Sequence, residues 1–205
     1  MAYNYLDSSQ FDHLSYLREL EVLDISHNHL KEQRVIDIIE TLPKLCIFLN
    51  NMNDYTEIFF TCSSACLQHI SLEGNSLSIL EFYKPKPSLT SLSVKNNNLS
   101  QITGLENLEN IEYINCNFNN FADLDFLTEV YNLKTIDAES NQLLSVSSIQ
   151  LSNVEILNLA SNKLANLDFL ADYSQIRSLI FANNQLESFP NLPMMFATIM
   201  FLDLS

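Results

Sequence analysis

The chain repeats one arrangement of apolar and polar positions along almost its whole length. In the segment IEYINCNFNNF, residues 111 to 121, apolar side chains stand at the first, fourth, sixth and eleventh positions and an asparagine stands at the ninth. Copies of this frame begin at Leu20, Leu42, Leu67, Leu89, Ile111, Leu133, Val154, Ile176 and Ile199, at intervals of 21 to 25 residues. A repeat of this length is typical of architectures in which stacked units bury a core that no unit buries alone.

An asparagine occupies the ninth position in every copy that extends so far. These residues are Asn28, Asn50, Asn75, Asn97, Asn119, Asn141, Asn162 and Asn184. A buried amide side chain both donates and accepts hydrogen bonds, so it can satisfy backbone groups where the chain turns away from a strand. We therefore predict that these asparagines form a structural ladder from unit to unit.

Within each unit the pattern predicts a short strand whose alternate residues point to opposite faces. In the segment quoted above, Ile114 and Cys116 are predicted to face the core. Tyr113, Asn115 and Asn117 are predicted to face outward.

The return segments between the strands carry a second pattern. Apolar residues recur at every third position, as in the series Leu99, Ile102, Leu105, Leu108 and in the series Leu164, Leu167, Leu170, Tyr173. A period of three predicts 3₁₀ turns or short helices. The first return, LKEQRVIDIIETL, has helical spacing and predicts an α-helix. The second unit, 25 residues long and containing NDYTEIFFTCSSAC, is predicted to be irregular.

The frame LxxLxLxxNxL resembles that of the leucine-rich-repeat family, and its period is similar to the 22-residue subclass found in a regulatory subunit of protein phosphatase 1 and in bacterial internalins. The resemblance implies an α/β solenoid with a parallel sheet on a concave face and 3₁₀ turns and short helices on a convex face. We expect about eight complete repeats in one domain spanning residues 1–205, excised from a longer protein. Asn4 and Leu6 fit the end of a preceding partial unit.

Charge and composition narrow the classes of partner and of chemistry. Twenty-five acidic residues against ten basic ones give a net charge of -15, which opposes binding to nucleic acid or to anionic lipid. The most apolar run, MMFATIMFL, is too short to cross a membrane, so no membrane insertion is expected. The four cysteines do not form a paired framework, which favours an intracellular, cytoplasmic location. With two glycines, the chain has no phosphate-binding glycine loop.

Few residues outside the repeat frame suggest chemistry. Cys62, Cys66 and His69 come closest to a metal-binding group, but their spacing is unusual for zinc and they have no evident fourth ligand, so we predict neither metal nor cofactor. The aspartates at positions 24, 137 and 203 share one strand position in units that are far apart, which is unsuitable for a carboxylate pair. We therefore expect no catalytic residues and no enzyme.

The outward strand face is the remaining candidate site. Its predicted partner-binding residues are Lys44, Phe48, His69, Glu73, Lys95, Tyr113, Asn115, Phe118, Asp137, Glu139, Ile156, Ile180 and Phe201. The resemblance implies a non-enzymatic scaffold or adaptor that binds another protein or peptide through the concave face. Two narrower alternatives stay open: a phosphatase-regulatory subunit, and an internalin-like bacterial effector that binds a host protein. Uncapped ends would also permit end-to-end self-association.

Overall fold

Nine short parallel strands form the main sheet of the computed structural model, which describes residues 1–146, 152–172, 175–187 and 198–205. These strands are β1 (Val22–Asp24), β2 (Ile47–Leu49), β4 (His69–Ser71), β6 (Ser91–Ser93), β7 (Tyr113–Asn115), β8 (Thr135–Asp137), β9 (Ile156–Asn158), β10 (Ser178–Ile180) and β11 (Phe201–Asp203). They lie side by side in chain order. A second sheet pairs β3 (Glu57–Phe60) with β5 (Ile79–Phe82).

The middle residue of each of the first eight main-sheet strands points into the core, in register with the middle residues of its neighbours, whereas Leu202 in the middle of β11 is 37% exposed. This column is Leu23, Phe48, Ile70, Leu92, Ile114, Ile136, Leu157 and Leu179, all buried. The predicted inward direction of Ile114 and Cys116 is confirmed, since both are fully buried. Each unit thus buries its apolar column against the next unit, and the architecture is the predicted leucine-rich-repeat solenoid.

The return segments form the other side of the solenoid, which we call the return face. One α-helix, α1 (Gln33–Ile39), lies in the first return and buries Val35, Ile36 and Ile39, as predicted. In the described part of the chain the 3₁₀ helices are η1 (Ser8–Gln10), η2 (Asp12–Tyr16), η3 (Leu105–Asn107), η4 (Asp125–Leu127) and η5 (Asp168–Asp172). They confirm the prediction from the three-residue period, although Tyr173 lies outside the described residues. No helix in the described ranges has the length and apolar character to cross a membrane.

The predicted frame of the second unit was wrong by three residues. Phe48, not Leu45, pairs with Leu23 and Ile70, so this copy is LCIFLNNMNDY and begins at Leu45. The 25-residue interval therefore runs from Leu20 to Leu45 and belongs to the first unit, where α1 requires a longer return. The second unit has the regular 22 residues, and its return is an ordered strand, β3, rather than an irregular loop.

The asparagine ladder joins each unit to the one before it. Asn119 shows the pattern: its amide nitrogen donates to the carbonyl oxygens of Cys116 and Asn117 in its own turn, both at 3.1 Å, and to Val94 in the preceding unit at 3.0 Å. Its amide oxygen accepts from the backbone N–H of Leu99, also in the preceding unit, at 3.0 Å. The Asn117 carbonyl also accepts from the Asn96 N–H at 2.9 Å, whereas the other three backbone groups have no backbone partner and are satisfied by side-chain amides.

Seven of the eight asparagines predicted for the ladder occupy this position. They are Asn28, Asn75, Asn97, Asn119, Asn141, Asn162 and Asn184. In the second unit the ladder residue is Asn53, which donates to the Ile25 carbonyl at 3.1 Å and accepts from the Leu30 N–H at 3.1 Å. Asn50 instead is fully buried at the position that follows β2, where its amide oxygen accepts from Asn53 at 2.8 Å and its amide nitrogen has no hydrogen-bond partner. Asn4 makes the turn contacts of a ladder residue, which agrees with the predicted partial unit.

A second, shorter ladder lies at the opposite end of the strands and was not predicted. Asn110, Asn132 and Asn153 each stand just before the first apolar residue of a unit. Each donates to a backbone carbonyl oxygen of the preceding unit, at 2.8, 2.7 and 2.9 Å respectively. Both ends of these strands are therefore tied by side-chain amides.

A buried ion pair on the return face joins three segments of the chain, which contain Glu40, Thr61 and Cys62, and Lys86. The Lys86 ammonium lies 2.9 Å from the Glu40 carboxylate, and both side chains are almost completely buried. Lys86 also donates to the Cys62 carbonyl at 2.7 Å and lies over the Phe60 ring. Glu40 accepts from the backbone N–H of Thr61 at 2.8 Å. These contacts compensate both charges, which is the condition for a buried pair to be tolerated.

Asn53 and Asn50 provide a matched test of the ladder within one unit. We expect Asn53→Ala to lower the free energy of unfolding by about 3 kcal/mol, because it leaves buried backbone groups without partners. Asn50→Leu should lower it by less than about 1 kcal/mol, because this amide is incompletely bonded and other units have leucine at that position. Urea denaturation measures both values. Equal losses would contradict the assignment of Asn53 to the ladder.

The ion pair predicts non-additive mutations. Lys86→Met should destabilise the fold by about 3 to 5 kcal/mol, because a buried carboxylate is left without its cation. Combining Lys86→Met with Glu40→Gln should restore at least half of that loss, since no buried charge remains. A double-mutant cycle in urea measures the coupling, and two additive losses would contradict it.

Candidate binding face on the nine-stranded sheet

One side of the main sheet points away from the core, and we call it the sheet face. It consists of the first and third residues of each strand and the second and third residues after the strand, the latter standing just before the ladder asparagine. The last of these residues has a left-handed backbone in each of the eight units that reach a ladder asparagine, for example φ 56° at Phe118 and φ 51° at Met52. This turn ends the strand and places the side chain at the margin of the face.

Five apolar side chains on the sheet face are substantially exposed. They are Val22 (53%), Met52 (47%), Phe118 (44%), Ile156 (41%) and Phe201 (53%). Val22 and Met52 belong to the first two units, Phe118 to the fifth, and Ile156 and Phe201 to the seventh and ninth. Because solvated strand positions are usually polar, this recurrence of exposed apolar residues on one side marks the face as a candidate interface.

The centre of the sheet face is a hydrogen-bonded polar network around Tyr113. The Tyr113 hydroxyl donates to the Asp137 carboxylate at 3.2 Å and accepts from the Asn115 amide at 3.2 Å. Burial is the largest influence on the pKa of this hydroxyl and raises it, so the phenol remains protonated and able to donate. The network fixes the Tyr113 ring against the sheet, and Tyr113 is less available than Phe118 as an anchor for a partner.

Carboxylates and amides on neighbouring strands hold one another in the same region. Ser93 donates to Glu73 at 2.6 Å, and the backbone N–H of Glu139 donates to the Asn117 amide oxygen at 2.6 Å. The Lys95 ammonium lies 5.5 Å from the centre of the Phe118 ring. These contacts cross from strand to strand, so the polar centre of the face is pre-organised before any partner arrives.

Two residues predicted for the sheet face lie elsewhere in the structure. Phe48 is fully buried in the core column, a consequence of the three-residue frame error. Lys44 lies in a turn before β2, where it forms an ion pair with Glu19. The other predicted residues lie on the face: His69, Ile156, Phe118 and Phe201 are exposed, and Glu73, Lys95, Tyr113, Asn115, Asp137, Glu139 and Ile180 are half-buried.

Two exposed apolar residues of the face were missed. The wrong frame assigned Met52 to an inward position. In the corrected frame Met52 has the same repeat position as Phe118, directly before a ladder asparagine. Val22 stands at the same strand position as Ile156 and Phe201 and pairs with Ile47. Comparing the third position of all units would have identified it.

Candidate chemical groups are not assembled into a reactive site. Asp24, Asp137 and Asp203 lie on β1, β8 and β11, with intervening strands between each pair. Within the described ranges, no three His, Cys, Asp or Glu side chains are grouped so that they could hold a metal ion. Cys62 is exposed and Cys66 is half-buried. Cys116 is buried, and desolvation raises the pKa of its thiol to about 12.

The stacked strands and the asparagine ladder define a leucine-rich-repeat fold. A family model described as Leucine Rich Repeat matches residues 19–45. No curated protein matches the chain. This family match covers the first unit, and the geometry of the later units extends the same repeat through the sheet.

Solved structures share this fold over most of the chain. YopM, a leucine-rich effector protein from Yersinia pestis, has a TM-score of 0.69 and 23% identity over 92% of this chain and 50% of its own. The functional domain of InlJ from Listeria monocytogenes has a TM-score of 0.68 and 21% identity, over 92% and 40%. TLR13, in complex with ssRNA13, has a TM-score of 0.65 and 19% identity, over 92% and 33%. This chain spans half or less of each of these neighbours.

The cysteine environments predict different reactivity. At pH 8 iodoacetamide should modify the exposed Cys62 of the native protein and leave Cys116 unmodified, because the thiolate is the reactive form and burial keeps Cys116 protonated. Mass spectrometry of tryptic peptides measures the labelling, and the denatured protein, in which all four cysteines should react, is the control. Labelling of native Cys116 at the rate of Cys62 would contradict the buried position.

Proposed function

We propose that this chain is a non-enzymatic protein-interaction module whose sheet face holds another protein or peptide. The observation that carries the proposal is the recurrence of exposed apolar side chains on that face, of which Phe118, Ile156 and Phe201 are the anchors in the C-terminal half. Buried apolar and aromatic side chains supply most of the binding energy at protein interfaces, and polar neighbours around them exclude water.

The dimensions of the sheet face suit such a partner. Nine parallel strands at a spacing of about 4.8 Å give a face roughly 40 Å long. A typical specific interface buries about 800 Å² on each partner, which a face of this length can supply. The main chain of the inner strands is already paired on both sides, so a partner contacts side chains rather than strand edges.

Charge favours a protein over nucleic acid as the partner. The sheet face carries Glu73, Asp137 and Glu139 at its centre, against one lysine, Lys95. Phosphate groups would be repelled by these carboxylates and by the net charge of -15. TLR13 shows that the solenoid itself is compatible with an RNA complex, so charge on the face, and not fold, supports this choice. The phosphatase-regulatory and effector alternatives concern the identity of the partner and remain predictions from sequence.

Site-specific photocrosslinking tests the proposal. A benzoylphenylalanine at position 118 should capture a partner protein in cells that express the chain, whereas the same group at position 144 should not. Leu144 is a suitable control because it is exposed on a return segment. Mass spectrometry identifies the captured protein, which is then purified for binding measurements.

The purified partner should bind the Phe118→Ala/Ile156→Ala variant at least about tenfold more weakly than wild type, because two apolar anchors are removed. The Leu144→Ala variant should bind as wild type does. Isothermal titration calorimetry measures both affinities. Undiminished affinity of the double variant, or capture only from position 144, would contradict binding through the sheet face.

A further inference from the structure

The return face of the second and third units carries apolar side chains that the core does not use. In β3 and β5 the inward residues Ile58, Phe60, Leu80 and Phe82 are buried, and the rings of the two phenylalanines stack at 4.9 Å. The outward residues include Phe59, Ile79 and Tyr83, which we call the return-face patch. Ile79 is 40% and Tyr83 56% exposed, and the Phe59 and Tyr83 rings lie 6.4 Å apart.

Both edges of this two-stranded sheet are closed. On the β3 edge, the Gln33 side chain accepts from the Phe59 N–H at 3.0 Å and donates to the Phe59 carbonyl at 2.6 Å, as a neighbouring strand would. On the β5 edge, the backbone of Thr103 bonds to Leu80 and Phe82 at 3.1 and 3.0 Å. A partner therefore cannot extend the sheet as a third strand and must contact the outward side chains.

Acidic side chains accompany the return-face patch. Glu57 and Glu81 stand on the same outward side of β3 and β5, and a hydrogen bond to Glu81 is the main cause of a raised pKa of the Tyr83 hydroxyl. The bridge between Glu81 and Thr103 connects the sheet to the segment that lines a neighbouring groove. The segments 55–61 and 77–84, which contain β3 and β5, have one basic residue, Lys84.

The neighbouring groove is also acidic. It has a volume of about 520 Å³ and lies between residues 100–106 and 123–129. Four carboxylates line it: Glu106, Asp123, Asp125 and Glu129. None of them forms a salt bridge with a basic side chain of the described residues.

We propose that the return-face patch is a second docking surface, which binds a basic protein segment containing an aromatic or aliphatic side chain. The apolar side chain of that segment packs on Phe59, Ile79 and Tyr83, and its lysine or arginine residues lie over Glu57, Glu81 and the carboxylates of the groove. The apolar patch alone fits many partners, and the uncompensated charge around it selects a basic one. This surface is separate from the sheet face, so both can be occupied together.

Selection from a random dodecapeptide phage library tests this proposal. The library is selected on the wild-type chain and depleted on the Ile79→Ser/Tyr83→Ser variant, which circular dichroism must show to be folded. A Glu106→Gln/Asp125→Asn variant removes charge without touching the patch, and Phe118→Ala is the matched control on the sheet face. Fluorescence anisotropy then measures the affinity of the enriched peptides for each variant.

The enriched peptides are expected to have net positive charge and at least one aromatic or branched aliphatic residue. Their affinity should fall at least about tenfold for the patch variant and less for the charge variant, and should be unchanged for Phe118→Ala. Neutral or acidic peptides, equal binding to the patch variant, or no enrichment above the depleted pool would overturn the proposal. Loss of binding in Phe118→Ala alone would place the peptides on the sheet face and also overturn it.

Discussion

The structure depends on how the backbone is satisfied where each unit leaves its strand. At that turn, N–H and carbonyl groups lose their strand partners inside the protein, where unpaired polar groups are costly. The side-chain amide of one asparagine in each unit accepts and donates hydrogen bonds at this turn. Some of these bonds go to the backbone of the preceding unit, so they also fix the position of one unit relative to the other. The left-handed residue before it belongs to the same turn.

This turn links the core to the candidate binding face. Because the ladder asparagine is fixed, the residue before it must lie at the margin of the sheet face, whatever its side chain. Phe118 and Met52 are exposed for this reason, whereas Gly74 in the intervening unit makes room for the Met52 side chain. At the centre of the face the Tyr113 hydroxyl is hydrogen-bonded to the Asp137 carboxylate, so these polar side chains are pre-organised. The apolar side chains near both ends of the face remain exposed.

Sequence predicted the fold because the frame is redundant: an error in one unit is corrected by its neighbours. The error in the second unit arose because LPKLCIFLNNMND has leucines at 42 and 45 and asparagines at 50 and 53, so two frames three residues apart compete. The wrong frame fits the sequence better, since it has Ile47 at the sixth position where the correct frame has Asn50. Stacking against Leu23 and Ile70 decides between them, and that contact is not visible within one unit. The pairing of Lys86 with Glu40 spans 46 positions and has no local signature at all.

The candidate site was predicted less completely than the fold, for a physical reason. Alternation along a strand identifies which side chains face outward, but not which of them are already bonded to neighbours. Tyr113 and Phe118 were equivalent candidates by sequence, yet the hydroxyl of Tyr113 is engaged by Asp137 and Asn115, whereas the Phe118 ring contacts a lysine and remains exposed. Strands β3 and β5 on the return face were not predicted, because the three-residue apolar period of the other return segments is absent there.

Hydrogen exchange followed by NMR tests the central claim most directly, because it reads individual backbone N–H groups. The N–H groups of Leu99, Phe121 and Leu143 lie outside the strands and donate to ladder asparagines. They should exchange as slowly as the N–H groups of the adjacent strands, since both open only when units separate. Exchange as fast as that of exposed return segments would contradict a solenoid held together by its asparagines.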